Sequence, residues 1–174
     1  MSLLPFKLSS LHLLNLLYVC MFEVVKILIT QTKNTVMTKE LWINLPVKDT
    51  NVSKEFFTKL GFSFNPRFSD SNEIACITIG AKNINVMLFK EAAFSGFTKN
   101  RLADTSEVTE VLFSIDAESR EEVDEMAKKA ADAGGTVFSK PAESQGWMYG
   151  CAFADPDGHR WNVLYMDMSK MPGN

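Results

Sequence analysis

The stretch that decides the fold is WINLPVKD, residues 42–49, which leads into a helical pattern ending in KLGF, residues 59–62. The first part is rich in large apolar side chains and predicts a strand that ends near Asp49. Apolar side chains spaced four residues apart then define one face of a helix: Val52, Phe56 and Leu60. Gly61 follows at the position where helices commonly end in a left-handed residue. The stretch therefore predicts a strand followed directly by an amphipathic helix.

The chain repeats this order of elements in its second half. After the first helix, turn-forming residues separate three strand-like segments near residues 62–68, 73–79 and 83–90. A second strand is predicted over 108–115, and Ser119-x-x-Glu122 is a capping box that opens a second helix. The inner face of that helix carries Val123, Met126, Ala130 and Ala133. Three more strands are expected near residues 136–138, 147–154 and 160–167.

These elements predict an α+β fold built from two tandem βαβββ modules. Module one spans 38–90, a linker spans 91–106, and module two spans 107–168. Local sequence repeats as well, since NVMLF at 85–89 corresponds to NVLYM at 162–166.

Composition indicates a globular protein without a nucleic-acid partner. The 174 residues carry a formal net charge of −3 and no basic cluster, whereas phosphate binding needs grouped Lys and Arg. Cys20, Cys76 and Cys151 are too far apart for a disulfide framework or a C-x-x-C metal site. We expect reduced thiols in a cytoplasmic protein, with no membrane association for residues 37–174.

The first 36 residues form a hydrophobic extension that differs in composition from the rest. Residues 8–29 are rich in Leu, Val and Ile. The interpretation that we favour is a natural start at Met37, which places the extension outside the native domain of residues 37–174. A signal peptide or membrane span is a second interpretation, although no small-residue cleavage site follows and polar residues interrupt the run. A third is an additional helix docked on the domain.

Alternation along the strands separates a core face from a second face. The core face carries only apolar side chains: Ile43, Leu45, Val47, Val86, Leu88, Val111, Phe113, Ile115, Val163 and Tyr165. The second face mixes bulky apolar groups with a few polar ones: Trp42, Asn44, Asn85, Met87, Phe89, Glu110, Leu112, Ser114, Asn162, Leu164 and Met166. This mixture is typical of a small-molecule pocket, although a protein interface has a similar pattern.

Two stretches carry a resemblance to a known family. Residues 42–49 with their helix, and DPDGHRW at 155–161 before the last strand, resemble the vicinal oxygen chelate superfamily of glyoxalases, bleomycin-resistance proteins and extradiol dioxygenases. SREEVD at 119–124 and residues 146–150 resemble its bacterial predicted lactoylglutathione lyases. The resemblance covers residues 38–168 and implies curved mixed sheets around a cleft, a small-molecule ligand and a homodimer.

The resemblance also implies where a metal would bind. Members that use a divalent metal hold it with four His or Glu ligands, whose positions fall on Trp42, Asn85, Glu110 and Asn162 of this sequence. Only Glu110 is a plausible ligand, because indole nitrogen is a donor only and Asn carbonyls bind metals weakly. We therefore expect a degenerate metal site and no cofactor. Extradiol dioxygenase activity is the least favoured, because it needs two His and one carboxylate.

Glu110 is the candidate catalytic residue, acting as a general base in an apolar pocket. The alternative is a carboxylate that reaches solvent or pairs with a basic group. Candidate ligand-binding residues are Trp42, Asn44, Asn85, Met87, Phe89, Tyr149, Asn162 and Leu164. His159 follows a tight turn, where an exposed structural role is expected. Cys76 and Cys151 are expected to be small buried side chains.

Three functions remain open from the sequence. The first is a glyoxalase-like enzyme, a lyase of the lactoylglutathione type that acts on or binds a small oxygenated molecule. The second is a metal-free binding protein of the bleomycin-resistance type, which would sequester a drug. The third is another metal-free enzyme on the same fold. Whether the protein is an enzyme at all is not decided at this level, because function depends on the site.

Overall fold

The computed structural model of the protein describes residues 40–173. The interpretations of residues 1–36 lie outside the described residues. Among the described residues, no helix combines the length and apolar character that crossing a membrane requires.

Module one forms a four-stranded mixed sheet with a helix on one face. Its elements are β1 (Trp42–Val47), α1 (Thr50–Leu60), β2 (Ser63–Phe64), a 3₁₀ turn (Pro66–Phe68), β3 (Ile74–Ile79) and β4 (Ile84–Lys90). The strand order is β1-β4-β3-β2, with β1 parallel to β4 and the other pairs antiparallel. Parallel neighbours need a crossover, and α1, β2 and β3 supply it.

Module two repeats this topology after a linker that contains a helix of its own. The elements are α2 (Glu91–Thr98), β5 (Leu112–Asp116), α3 (Arg120–Asp132), β6 (Thr136–Ser144), β7 (Met148–Ala154), β8 (Arg160–Met166) and a 3₁₀ turn (Met168–Lys170). The strand order β5-β8-β7-β6 matches that of module one, and β5 is parallel to β8. The predicted α+β fold of two βαβββ modules is confirmed.

Four element boundaries differ from the predictions. The strand expected over 62–68 ends at Phe64, because Pro66 lacks the N–H that a ladder needs and instead begins a 3₁₀ turn capped by Asn65. The strand expected from 108 begins only at Leu112. β6 continues to Ser144 rather than 138, through an irregular register on either side of Ser139. Helix α2 lies in the linker, where no helix was predicted.

Side-chain and glycine caps set the helix ends as the sequence predicts. The Asp49 carboxylate accepts a hydrogen bond from the Asn51 N–H at 2.8 Å, and Gly61 ends α1 with a φ of 96°. Ser119 accepts from the Glu122 N–H at the start of α3. The predicted inner face of α1 is partly wrong, because Val52 is 50% exposed while Phe57 is buried. In α3, Val123 and Ala130 are buried, and Met126 and Ala133 are partly buried against the core as expected, while the buried Ala127 was not predicted.

The two modules share one hydrophobic core. Phe56 and Phe57 of α1 are buried together with Phe153 of β7 and Trp161 of β8. The Trp161 ring lies 5.3 Å from the ring of Phe57 and 4.5 Å from that of Phe113. The core face predicted by alternation is confirmed for its central members: Leu45, Val47, Val86, Leu88 and Val163 are at most 3% exposed. Because Trp161 belongs to module two and Phe57 to module one, this packing holds the modules together.

Candidate functional site

The turn between β7 and β8, residues 155–159, is organised around a buried carboxylate. Asp155 is 5% exposed and accepts the backbone N–H groups of Asp157 and His159 at 3.0 Å each. Its other oxygen accepts the indole N–H of Trp161 at 3.2 Å. Burial raises the pKa of Asp155 to about 6, although the nearby His159 and the indole N–H oppose this rise. The carboxylate thus fixes the turn and joins it to the core.

The same turn bonds module two to module one. The Asp157 carboxylate accepts the backbone N–H of Lys48 at 2.9 Å and lies 3.1 Å from the Ser53 hydroxyl. His159 donates from Nε2 to the carbonyl oxygen of Pro46 at 2.8 Å. His159 was expected to be exposed, and this is wrong: it is 2% exposed. The sequence pattern of a turn does not show which element packs over that turn. Here β1 of module one packs over it and buries His159.

Glycine is required within this turn. Gly158 has a φ of 90°, which side chains rarely adopt, and a Cβ atom there would lie 2.8 Å from the Cβ of Thr105. The Thr105 hydroxyl donates to the carbonyl oxygen of Asp157. The linker therefore contacts the turn directly at Thr105.

Glu110 is paired with the buried histidine. Its Oε1 lies 2.9 Å from Nδ1 of His159, although the two atoms are not aligned as in a good hydrogen bond. The Glu110 side chain is 28% exposed and precedes β5 instead of lying within it. Glu110 and His159 thus form a close carboxylate–imidazole pair at the edge of the turn.

A cavity of about 390 Å³ lies between β1, the linker and the residues before β5. We call it the linker cavity, and its lining residues are Ile43, Asn44, Leu45, Pro46, Phe94, Thr98, Asn100, Arg101, Leu102, Ala103, Glu110 and Val111. Two of the predicted site residues, Asn44 and Glu110, are among them. The six linker residues were missed, because a linker has no strand periodicity to assign its side chains to a face. The apolar pattern of residues 92–97 was the available signal for a helix there.

The second face of module two has a smaller cleft of about 250 Å³. We call it the sheet cleft, and it is lined by Ser139, Ala142, Glu143, Ser144, Met148, Gly150, Cys151, Ala152, Asn162 and Leu164. The predicted ligand residues Asn162 and Leu164 therefore line a different cleft from Asn44 and Glu110.

The other predicted ligand residues lie on β1 and β4 of module one and on β7 of module two. Met87 is buried at 6% exposure, Phe89 packs against Phe97 of α2 with ring centroids 5.2 Å apart, and Trp42 is 58% exposed. The Tyr149 side chain lies towards α3, and its role in ligand binding stays a prediction. Its hydroxyl donates to Asp124 of α3 at 2.9 Å, because it shares the helix-facing side of β7 with Cys151.

The residues at the superfamily's metal positions do not fit a divalent ion. Trp42 is the register partner of Asn85, and the Asn85 amide oxygen lies 3.5 Å from the Cys76 thiol. Asn162 is the register partner of Ser114, while Glu110 is paired with His159 outside the strand. Within residues 40–173 no group of three or more His, Cys, Asp or Glu side chains is placed to hold a metal. One carboxylate and two amides are a poor donor set for such an ion.

Both described cysteines are buried, as expected. Desolvation raises the pKa of the Cys151 thiol to about 11 and also raises that of Cys76. Because the thiolate is the nucleophilic form, neither side chain is a suitable nucleophile at neutral pH.

Comparison with known proteins relates this fold and site to a family. A family model described as bleomycin resistance protein-like N-terminal matches residues 39–80. A hypothetical protein from S. aureus is 34% identical, with 74% of this chain and 94% of that chain covered and a TM-score of 0.66. A glyoxalase/bleomycin resistance protein/dioxygenase from Nocardioides is 21% identical over 86% of this chain and 98% of that chain, with a TM-score of 0.61. No curated protein matches the sequence.

Two four-stranded mixed sheets in a duplicated βαβββ arrangement define a glyoxalase/bleomycin-resistance type of fold. A glyoxalase-related enzyme from Fulvimarina pelagi has the same fold, with a TM-score of 0.63 at 15% identity over 74% of this chain and 88% of that chain. The chain belongs to the vicinal oxygen chelate superfamily.

Proposed function

We propose that the protein binds a small, partly apolar molecule in the linker cavity without a superfamily-type metal. The observation that carries this proposal is the cavity itself. Its volume of about 390 Å³ suits a small molecule, and apolar walls with a few polar groups are typical of ligand sites. Because the residues at the metal positions are unsuitable metal ligands, we infer that side chains bind the small molecule without a metal ion.

The polar groups of the linker cavity indicate which ligands fit. Arg101 offers a planar cation, Asn44 and Asn100 offer amides, and Glu110 offers a carboxyl group next to His159. Phe94 of α2 lines the same cavity and supplies an aromatic surface. An oxygenated molecule with an apolar body would satisfy both kinds of lining, because buried donors and acceptors need partners. This corresponds to the class of ligand expected from the sequence.

A thermal-shift screen with matched variants tests this proposal. We expect some small oxygenated molecules to stabilise the wild-type chain, by about 2.7 kcal/mol at a concentration one hundred times Kd. Thr98→Trp fills the cavity from the end of α2 and should abolish that stabilisation. Thr58→Trp is the control, because it makes the same change at an exposed helical position of α1. Equal stabilisation of the wild type and Thr98→Trp would contradict the linker cavity as the site.

A lyase of the lactoylglutathione type is the second candidate. The observation that favours it is the position of Glu110, whose carboxyl group lines the linker cavity next to His159. General bases of this kind contribute about 10²–10⁴-fold to rate. A metal-independent activity would have to stabilise negative charge with hydrogen-bond donors such as Arg101.

Metal content and turnover decide between the two candidates. The full chain is purified without chelator, loaded with Ni²⁺, Zn²⁺, Mn²⁺ or Fe²⁺, and assayed with methylglyoxal and glutathione. We expect no stoichiometric metal and no turnover above background in the wild type or Glu110→Gln. One bound ion per chain that is lost in Glu110→Gln, together with turnover, would establish the lyase and overturn metal-independent binding.

A homodimer in the cytoplasm remains part of this proposal. Support for self-association comes from large apolar side chains exposed on the second faces of the sheets. Trp42 is 58% exposed, Leu112 52% and Met166 41%. Large exposed apolar areas are typical of interaction sites.

A further inference from the structure

One wall of the linker cavity is formed by residues 91–103, which contain helix α2 and which we call the linker strap. Six of the twelve residues that line the cavity belong to the strap. Within residues 40–173, no hydrogen bond or ion pair joins the strap to another part of the protein, and the bond from the Thr98 hydroxyl to the Phe94 carbonyl oxygen lies inside α2. Side-chain packing therefore holds half of the cavity wall in place.

The two ends of the strap are attached by hydrogen bonds. Before the strap, the Lys90 amine pairs with the Glu73 carboxylate at 2.9 Å, and the Lys90 N–H donates to the Glu73 carbonyl oxygen at 3.1 Å. After the strap, the Thr105 hydroxyl donates to the carbonyl oxygen of Asp157 beside Gly158. Because the ends are held and the middle is not, the strap can move away from the cavity while both modules stay folded.

Helix α2 has few of the features that stabilise a short helix. Lys90 provides no side-chain cap, and an isolated helix of eight residues is unstable in water. Gly96 lies inside the helix, where Gly is less favourable than Ala. The helix ends at Lys99 with a φ of 61°, a left-handed conformation that favours Gly over residues with a side chain. Since none of its residues is fully buried, α2 depends on its contacts with module one.

An aromatic contact docks α2 on the sheet of module one. The centroid of the Phe97 ring lies 5.2 Å from that of Phe89 on β4 and 5.4 Å from that of Phe94. Phe97 is nevertheless 53% exposed, so undocking transfers only the remaining half of its surface to water. Because apolar burial stabilises in proportion to the area removed from water, the docked strap is held much less strongly than the shared core.

We propose that the linker strap is a lid, which opens to admit a ligand to the linker cavity and closes over it. Half of the wall belongs to the strap, so the complete cavity exists only while the strap is docked. A ligand that binds the complete cavity must therefore lower the population of the open state. This inference rests on the proposed function for the ligand, whereas the opening itself is a property of the free chain.

Hydrogen exchange of the full chain tests the opening without a ligand. We expect the hydrogen-bonded amides of α2 to exchange at least about a hundredfold faster than those of α1 and α3, because only the strap has to open. Gly96→Ala adds a Cβ atom that meets no other atom within 4 Å, and its helix propensity should slow this exchange about fivefold. Phe97→Ala should speed it at least about threefold, because the contact with Phe89 is lost.

The matched control for Phe97→Ala is Phe138→Ala. Phe138 is similarly exposed, at 48%, but lies on β6 of module two, so this substitution should leave the exchange of α2 unchanged. The lid is overturned if the α2 amides of the wild type exchange as slowly as those of α1 and α3. It is also overturned if Gly96→Ala and Phe97→Ala both exchange as the wild type does.

Anilinonaphthalene sulfonate, a fluorescent aromatic anion, tests the link between the lid and the cavity. Only the binding that Thr98→Trp abolishes is counted, because this substitution fills the cavity. At about ten times its Kd, the probe should slow the exchange of α2 about tenfold and leave that of the 3₁₀ turn Pro66–Phe68 unchanged. Binding without slower exchange would overturn the proposal. If no such binding is found, the proposed function is weakened, and the exchange of the free chain decides the lid by itself.

Discussion

Asp155→Ala is expected to lower the free energy of unfolding by about 3–5 kcal/mol, because it leaves three buried donors without an acceptor. Those donors are the backbone N–H groups of Asp157 and His159 and the indole N–H of Trp161. The same turn supplies the bonds from Asp157 and His159 to module one, so its loss should weaken the contact between modules. Denaturant unfolding followed by circular dichroism gives the change in free energy from the shift in midpoint.

Asp155→Asn removes the negative charge of residue 155 but keeps an oxygen that can accept hydrogen bonds. Its amide oxygen can keep both backbone bonds at the position of Oδ1, while its NH₂ group faces the Trp161 N–H in place of an acceptor. We therefore expect a smaller loss, about 1–3 kcal/mol. A loss in Asp155→Ala no larger than that of an exposed substitution would contradict the organising role of this carboxylate.

The pH dependence of stability gives an independent check on the same residue. Burial raises the pKa of Asp155 to about 6, whereas an unfolded Asp titrates near pH 3.9. Between these values the folded state binds more protons than the unfolded state, so the contribution of this group to stability falls as pH rises from about 4 to 6. The stability of the wild type relative to Asp155→Asn should therefore decrease over that interval.

Trp161→Ala is expected to be equally damaging, with a loss of about 3–5 kcal/mol in the free energy of unfolding. The side chain is completely buried, and its ring contacts Phe57 and Phe62 of module one as well as Phe113 and Phe153 of module two. Truncation leaves a cavity where the two modules meet and removes the donor to Asp155. The measurement is again the unfolding midpoint, with the slope m compared to detect a loss of cooperativity.

Trp161→Phe is the matched variant for this prediction. It keeps most of the aromatic packing and removes the indole N–H, so we expect a loss of about 1–2 kcal/mol. Combining it with Asp155→Asn in a double-mutant cycle should give a coupling energy of about 0.5–3 kcal/mol, because the two side chains are bonded directly. Strict additivity of the two substitutions would show that the bond contributes little.

Much of the fold could be predicted, because its signals are local. The cap at Ser119 and the left-handed residue at Gly61 depend only on neighbouring residues, and both are found where expected. One error has a clear cause. Val52 satisfied the helical spacing, yet α1 packs against more than one partner, so its buried face is rotated towards Phe57.

The candidate site was predictable only in part. Alternation placed Asn44 on the face away from the core, and Asn44 lines the linker cavity. Glu110 lines the same cavity but precedes β5, so strand alternation does not account for its position. The pairing of Glu110 with His159, and the contribution of Arg101, were not predictable. They arise from the path of a linker and from a turn that docks on another module, and neither leaves a periodic pattern in the sequence.

The sequence by itself determined the order of elements within each module, their duplication and the apolar side of the central strands, because propensity, capping and periodicity act over a few residues. Tertiary structure decided which surfaces became cavities. The carbonyl of Pro46 and the ring of His159 are 113 positions apart in the chain, and Phe57 and Trp161 are similarly distant. Such contacts form only when the modules dock on a shared core, and the position of Glu110 beside a buried imidazole depends on that docking.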